Sequence, residues 1–312
     1  MGNMKYLIID GSAVLHRAYH ALPLFTSAQG VPTNAVHGFI KMTLSLIDRL
    51  APDFLTIAFD TPKKTFRKEL VASYQSQRPK NPEEFKVQVP LVQEFLRLAG
   101  LKYYLKEGYE ADDVISTLVV LANQEEPDLF TYILTGDKDI LQLVAPKTMV
   151  IMPKKGVSEL YYMDEAAVKQ KLGITPAQVV DYKALVGDSS DNYAGIKGIG
   201  PKTANKLLED YQNLNRIYQH LDQLDLSLRQ KLEVNRDNAL LSKKLAQLVN
   251  NVEIDFKLKD NQLAKLTLTS SLQQYCDQYS LRSIKKQLEA TGKRHTNEKS
   301  VDKTTENQLS FF

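Results

Sequence analysis

The side chains of this 312-residue chain best placed for chemistry are carboxylates, and they come in groups: Asp10; Asp60; Glu110, Asp112 and Asp113; Asp137 and Asp139; Asp188 and Asp191. A lone acid at the end of an apolar run usually caps a helix or shapes a turn. Five separate segments ending in acids are harder to explain that way. If the nine groups converged, each close pair would repel by on the order of several kcal/mol at intermediate dielectric, so they would need cations or raised pKa values. The five histidines, His16, His20, His37, His220 and His295, are scattered, and the first three read as structural. Cys276 is the only cysteine, which excludes an internal disulfide and a multi-cysteine zinc site. An all-oxygen donor set favours Mg²⁺ or Mn²⁺, and two such ions roughly 4 Å apart suit phosphodiester hydrolysis. Asp113 and Asp188 are expected to support ligands more than to bind metal directly.

The stretch from Gly187 to Thr203 joins Asp188 and Asp191 to a glycine-rich hairpin that opens into a helix at Pro201. Gly195, Gly198 and Gly200 allow backbone shapes closed to other residues, so that successive N–H groups can converge on an anion. Lys197, Lys202 and Thr203 beside them are expected to contact phosphate. The segment 61–90 is polar, basic and interrupted by Pro62, Pro79 and Pro82, and reads as a lid or arch over the site. Within it Arg67, Lys68 and Arg78 could grip a scissile phosphate, and Tyr74 could offer a stacking face to a base.

The elements that must position these groups follow from the apolar patterning. Lys5–Ile9, Phe54–Phe59, Lys102–Leu105, Tyr132–Leu134 and Met149–Met152 read as strands, the last closing the sheet. Helices are expected over Val36–Leu50 and Leu91–Leu98 and from Glu110 to Ala122, with the acids in its first turn as the helix dipole favours. Alternation of strand and helix predicts a mainly parallel α/β sheet, whose ligands bind beyond the carboxyl ends of the strands. From Asp164 the chain reads as almost wholly helical. Residues 289–307 are polar and are expected to be disordered.

A net charge of +3 says little about nucleic acid, but its distribution does: Lys63, Lys64, Arg67, Lys68, Arg78, Lys80 and Lys86 are concentrated beside an acidic pocket. No apolar run approaches the roughly 18 residues of a membrane span, and the start lacks a signal-peptide pattern. The expected protein is a cytoplasmic monomer with no membrane partner.

Ile9-Asp-Gly-Ser12, Phe59-Asp60, Thr65-Phe-Arg67, Glu110-Ala-Asp-Asp-Val114, Thr135-Gly-Asp-Lys-Asp139, Gly187-Asp-Ser-Ser-Asp-Asn192 and the run from Gly198 to Ala204 occur in the order and spacing of the 5′ nucleases. Over residues 4–290 the sequence resembles this family, which includes the 5′–3′ exonuclease domain of bacterial DNA polymerase I and the flap endonucleases. The resemblance implies a PIN-like sheet with a helical arch over residues 1–175 and an all-helical helix-three-turn-helix DNA-binding region over 176–290. It also implies a K⁺ ion at the hairpin and two-metal cleavage of 5′ ends, flaps, nicks and RNA primers in replication and repair, close to the nucleoid. By match, Asp10, Asp60, Glu110 and Asp112 would hold one metal, and Asp137, Asp139 and Asp191 the second, with Asp112 or Asp113 nearby. Many relatives carry a lysine directly after the arch tyrosine; here stands Gln75, and Lys68 or Lys64 would have to compensate. With no polymerase following, a stand-alone nuclease is expected. Residues 291–312 read as a tail, and Gln308-Leu309-Ser310-Phe311-Phe312 resembles the short peptide by which bacterial replication proteins dock on the sliding clamp. Two rival functions share most of these features: a structure-specific DNA-binding protein with weakened catalysis, and a PIN-type ribonuclease.

Overall fold

The first strand sets the plan of the molecule. In β1, Lys5–Asp10, Tyr6 and Ile8 point into one core and Leu7 and Ile9 into the other, so an uninterrupted apolar run forms a strand covered on both faces. The computed structural model of the chain describes residues 4–155, 159–264 and 266–290. Its main sheet has the order β3-β2-β1-β4-β5-β6, with β2 Phe54–Ala58, β3 Lys102–Tyr104, β4 Phe130–Leu134, β5 Thr148–Lys155 and β6 Glu159–Met163. The first five are mutually parallel and β6 runs antiparallel on β5. The sheet therefore does not close at Met149–Met152 as the patterning predicts. The reason is that β6 is an edge strand with Tyr161 and Tyr162 exposed, so it lacks a continuous apolar run.

The helices are α1 Gly11–Ala21, α2 Asn34–Leu50, α3 Phe66–Leu70, α4 Glu83–Lys86, α5 Gln88–Leu98, α6 Ala111–Glu125, α7 Glu165–Leu172, α8 Val179–Val186, α9 Pro201–Tyr211, α10 Leu214–Gln219, α11 Leu226–Val234, α12 Arg236–Ala246 and α13 Ser270–Gln278. Helix α1 is absent from the sequence reading. It starts directly at Asp10, whose side chain caps it by accepting from the Ala13 N–H at 2.9 Å. Its first residue is glycine because a Cβ there would fall 2.4 Å from the Phe59 ring.

One core, built on Tyr6, Ile8, Val114 and Ile133, continues without a break into Leu185, Ile196, Ile199, Leu207 and Leu208 of the helical region. The other includes Leu7, Phe39 and Phe95, and it also takes Leu272, Tyr275, Cys276, Ile284 and Leu288. The last helical residues thus return to the sheet's α2–α5 face instead of staying with the helical region. After Asp164 helices carry the chain, as expected, with interruptions. A two-stranded ladder, β7 Gly187–Asp188 with β8 Tyr193–Ala194, separates α8 from α9, and residues 247–257 form no helix.

Of the hairpin glycines, only Gly198 has a left-handed φ, +83°. Gly195 is required by close packing: a Cβ would lie 2.3 Å from the Gly187 N and 2.4 Å from the Leu185 O. Gly200 has open space and an extended backbone, so the expectation of special conformation fails there. Because backbone cannot move aside as a side-chain tip can, Gly195→Ala should destabilise the protein by about 2 kcal/mol or more, while Gly200→Ala should cost about 0.5 kcal/mol or less, read by urea unfolding. Equal losses would contradict this packing.

Candidate metal centre and nucleic-acid interface

Parallel strands deliver their carboxyl ends to one edge, and the connections reverse direction between β1 and β4. At that point Asp10 ends β1 and accepts from the Thr135 hydroxyl at 2.7 Å, just beyond β4. Asp60, just after β2, accepts the Ala111 N–H at 2.8 Å, which ties it to the start of α6. Glu110 is the residue before α6, and Asp112 lies in its first turn. Asp137 follows β4 and accepts the Asp139 N–H at 2.8 Å. These five carboxylates line one cleft of about 580 Å³, which His16, Phe85 and Lys86 also line.

Their electrostatics are those of buried like charges that nearby cations offset only in part. Burial, then the Asp60 charge, pushes Asp10 up to about 7. Burial outweighs the Arg67 guanidinium to push Glu110 up to about 7. Asp112 and Asp137 are raised as well, by burial first; the Asp137 charge adds to Asp112, while Lys183 and Arg78 partly offset the rise at Asp137.

The second group, Asp139, Asp188 and Asp191, brings three carboxylate oxygens within 4.8 Å of one another. Lys183 lies between two of them, bonded to Asp139 and, at 2.5 Å, to Asp188. Burial would raise Asp188, but Lys183 outweighs it and holds the carboxyl below its ordinary value. Asp188 also receives the Ser190 N–H and hydroxyl. Lys183 is missed by the sequence reading. Its signal is a lone lysine in the otherwise apolar run Val179-Val-Asp-Tyr-Lys-Ala-Leu-Val186.

Residues expected to grip substrate behave in three ways. Arg67 is only 1% exposed and forms a two-bond pair with Asp113, at 2.6 and 2.8 Å, while reaching Glu110, the Leu245 O and the Gln247 O. It is a structural cross-link with no face for a phosphate. Asp113, fully buried, gives its oxygens to Arg67 and to the Glu110 and Val249 N–H groups, so it does not enter the cleft. Tyr74 is buried with its ring stacked on Tyr193, so it offers no face to a base. Its hydroxyl instead meets Glu110 and Asp191, both at 3.2 Å, and burial with those two charges keeps it protonated as a donor.

Gln75, at φ +53°, spans the same two acids and donates its backbone N–H to the Asp191 O at 2.9 Å. Arg78 pairs with Asp191 at 2.6 Å yet stays half exposed, and Lys68 is exposed. The middle of segment 61–90 is therefore tied down to the carboxylates, whose negative charge recruits Tyr74, Gln75 and Arg78 as donors. Lys197, Gly198, Gly200 and Lys202 are exposed around the hairpin, with Thr203 half-buried and Gly195 inside. Gln308, Leu309, Phe311 and Phe312 lie outside the described residues.

An all-oxygen donor set with carboxyls raised by burial and then by mutual repulsion fits hard divalent cations. The cleft carboxylates Asp10, Asp60, Glu110, Asp112 and Asp137 would hold one position, and Asp139, Asp188 and Asp191 a second.

Two family models divide the chain: 5′–3′ exonuclease, N-terminal resolvase-like domain, matches residues 5–173, and 5′–3′ exonuclease, C-terminal SAM fold, matches residues 174–269. The chain belongs to the 5′–3′ exonuclease family. A family member named 5′–3′ exonuclease from Aquifex aeolicus is 37% identical over 92% of this chain and 96% of its own length. DNA polymerase I of Caldicellulosiruptor bescii is 43% identical over 82% of this chain, and that of Lactococcus lactis subsp. lactis 39% over 96%. The chain spans about a third of the length of these polymerases. Among solved structures, bacteriophage T5 D15 protein co-crystallised with metal ions shares the fold with a TM-score of 0.61 at 20% identity, over 78% of this chain and 90% of that one. The catalytic core of Rad2 in complex with a DNA substrate gives 0.63 at 18% identity over 92% of each.

Two predictions follow from the charges. Removing one partner of a buried pair strands the other, so Arg67→Met should destabilise by about 3–5 kcal/mol and Arg67→Met with Asp113→Leu by distinctly less; an additive double variant would refute the pairing. In the metal-free protein Asp10 and Glu110 bind protons up to about pH 7 that the unfolded chain has released by about pH 5. Their contribution to stability is therefore present at low pH and lost as pH rises to about 7, and Asp10→Asn should flatten that decline in melts followed with EDTA.

Proposed function

We propose that this chain is a divalent-metal-dependent 5′ nuclease that hydrolyses phosphodiesters at 5′ ends, nicks, flaps and RNA primers in DNA replication and repair. The observation that carries the reading is the convergence of five carboxylates, from four separate chain segments, in one cleft beside a basic segment. When bound, two Mg²⁺ or Mn²⁺ ions would supply Lewis-acid polarisation of the phosphodiester and a more acidic water.

The chain's own residues have the remaining work. Asp10, Asp60, Glu110, Asp112 and Asp137 hold the ligand geometry, and Asp139, Asp188 and Asp191 form the second position, with Lys183 as its counter-charge when no metal is there. Arg78, held on Asp191 but half exposed, can turn a guanidinium to a substrate phosphate, Lys86 adds charge in the cleft wall, and the exposed Lys68 is a further cation of the same segment. Gln75 contributes hydrogen bonds but no charge, so Arg78 carries more of the phosphate neutralisation. At the hairpin, Lys197, Lys202 and the first turn of α9 present cations and free N–H groups to a duplex backbone, with K⁺ as an added counter-charge. The reading extends to a cytoplasmic monomer acting at the nucleoid, tethered to the sliding clamp through Gln308, Leu309, Phe311 and Phe312.

A 5′-labelled DNA flap incubated with Mg²⁺ or Mn²⁺ tests the activity. Wild type should release the flap, Asp191→Asn should lose cleavage by about 100-fold or more, and Arg78→Ala by about 10–100-fold. Cleavage of RNA alone, or flap binding without cleavage, would instead support the ribonuclease or the binding protein. Deleting residues 308–312 should abolish clamp binding while leaving flap cleavage in solution intact; clamp binding retained by the deletion would overturn the tether.

A further inference from the structure

Two histidines, one of them on the wall of the oxygen-lined cleft, have the geometry of a different kind of metal site. His16 and His20 lie one turn apart on α1, and their Nε2 atoms face each other at 3.3 Å. Two imidazoles on a tetrahedral ion, each about 2.0–2.1 Å from it, must stand about 3.3–3.4 Å apart, so the observed separation is the bite of such a ligand pair. Both rings are braced by aromatic neighbours: His16 meets the Phe85 ring edge-on at 5.6 Å, and His20 meets Tyr19 at 5.1 Å. The helix fixes the spacing and the aromatics limit rotation, so little ordering cost remains for an incoming ion.

The pair opens on a cavity of about 510 Å³ lined also by Ala13, Arg17, Gly136 and Asp137. His16 and Asp137 line the carboxylate cleft as well, so the two spaces adjoin. Arg17 brings a positive charge to this cavity and Asp137 a negative one. The donor chemistry differs sharply across the boundary. Imidazole nitrogen suits Zn²⁺, Co²⁺ or Ni²⁺ and is a poor ligand for Mg²⁺, which prefers the oxygens next door.

We infer that His16 and His20 form a two-imidazole site for a first-row transition-metal dication, separate from the carboxylate centre, with its open coordination positions facing the cavity beside Asp137. An ion there places positive charge at the rim of the cleft without using any of the cleft's oxygen ligands. The inference does not depend on nuclease activity.

The test is a Zn²⁺ titration of the full chain in saturating Mg²⁺, followed by histidine side-chain ¹H–¹⁵N spectra. Zn²⁺ should shift the Nε2 resonances of His16 and His20 together, saturating at one equivalent, with His37 and His220 unmoved. His16→Phe and His20→Ala should each weaken binding by about tenfold or more, because a chelate of two is reduced to one ligand, and backbone spectra will show whether each variant is folded. The assignment is overturned if Zn²⁺ shifts neither histidine, or if one variant leaves the other histidine's affinity unchanged. It is equally overturned if a folded Asp137→Asn variant abolishes the shifts, which would place the ion among the carboxylates.

Discussion

The structure depends on one electrostatic constraint: parallel strands β1, β2 and β4 deliver carboxylates to a single edge, where burial prevents water from relieving their repulsion. Asp10 and Glu110 are pushed to about 7 as a result, and Asp112 and Asp137 rise with them. Much of the surrounding structure answers this charge. Arg67 neutralises Asp113 and leans on Glu110, Arg78 pairs with Asp191, Lys183 bridges Asp139 and Asp188, and Tyr74 and Gln75 donate to Glu110 and Asp191. Among the described residues no ion pair is formed by Asp10, Asp60 or Asp112, and this wall of the cleft is where a divalent ion would gain most.

The same contacts explain how the hairpin region and the cleft are joined. Asp191 sits in the turn between β7 and β8, its carboxylate in the second acidic group and its carbonyl bonded to the Gln75 N–H. Gly195, immediately after β8, packs directly on the backbone of Leu185 and Gly187 with no room for a side chain. Asn238 and Ser242 of α12 then donate to the carbonyls of Ala194 and Gly195. A duplex held at Lys197 and Lys202 would thus be held by backbone continuous with the second acidic group and, through Gln75, with the basic segment.

Most of the centre was legible in the sequence because its signal is local: an apolar strand followed by an acid states both a position in the sheet and a chemistry. Asp10, Asp60 and Asp137 were singled out on that basis, and Glu110 and Asp112 as acids opening an apolar helix; all five line one cleft. What failed depended on partners distant in the chain. Nothing near Arg67 announces that it will be enclosed by Asp113 and the carbonyls of residues 245 and 247, and nothing near Tyr74 announces Tyr193. Strand β6 was hidden by the polarity of an edge position, and α1 by starting with the very residues, Asp10 and Gly11, that read as a strand-ending turn. Lys183 was visible only as an oddity in an apolar helix. The scattered appearance of the histidines was likewise a property of the whole chain, since His16 and His20 are neighbours once α1 is a helix.

Calorimetry of Mg²⁺ binding to the metal-free protein in buffers of different ionisation enthalpy tests the central claim most directly, because it counts protons as the ion enters. If carboxyls held near 7 by burial and by mutual repulsion are the ligands, binding at about pH 6.5 should release protons, and the release should fade toward zero by about pH 8.5. Proton release that is absent at about pH 6.5, or unchanged across this range, would contradict the account.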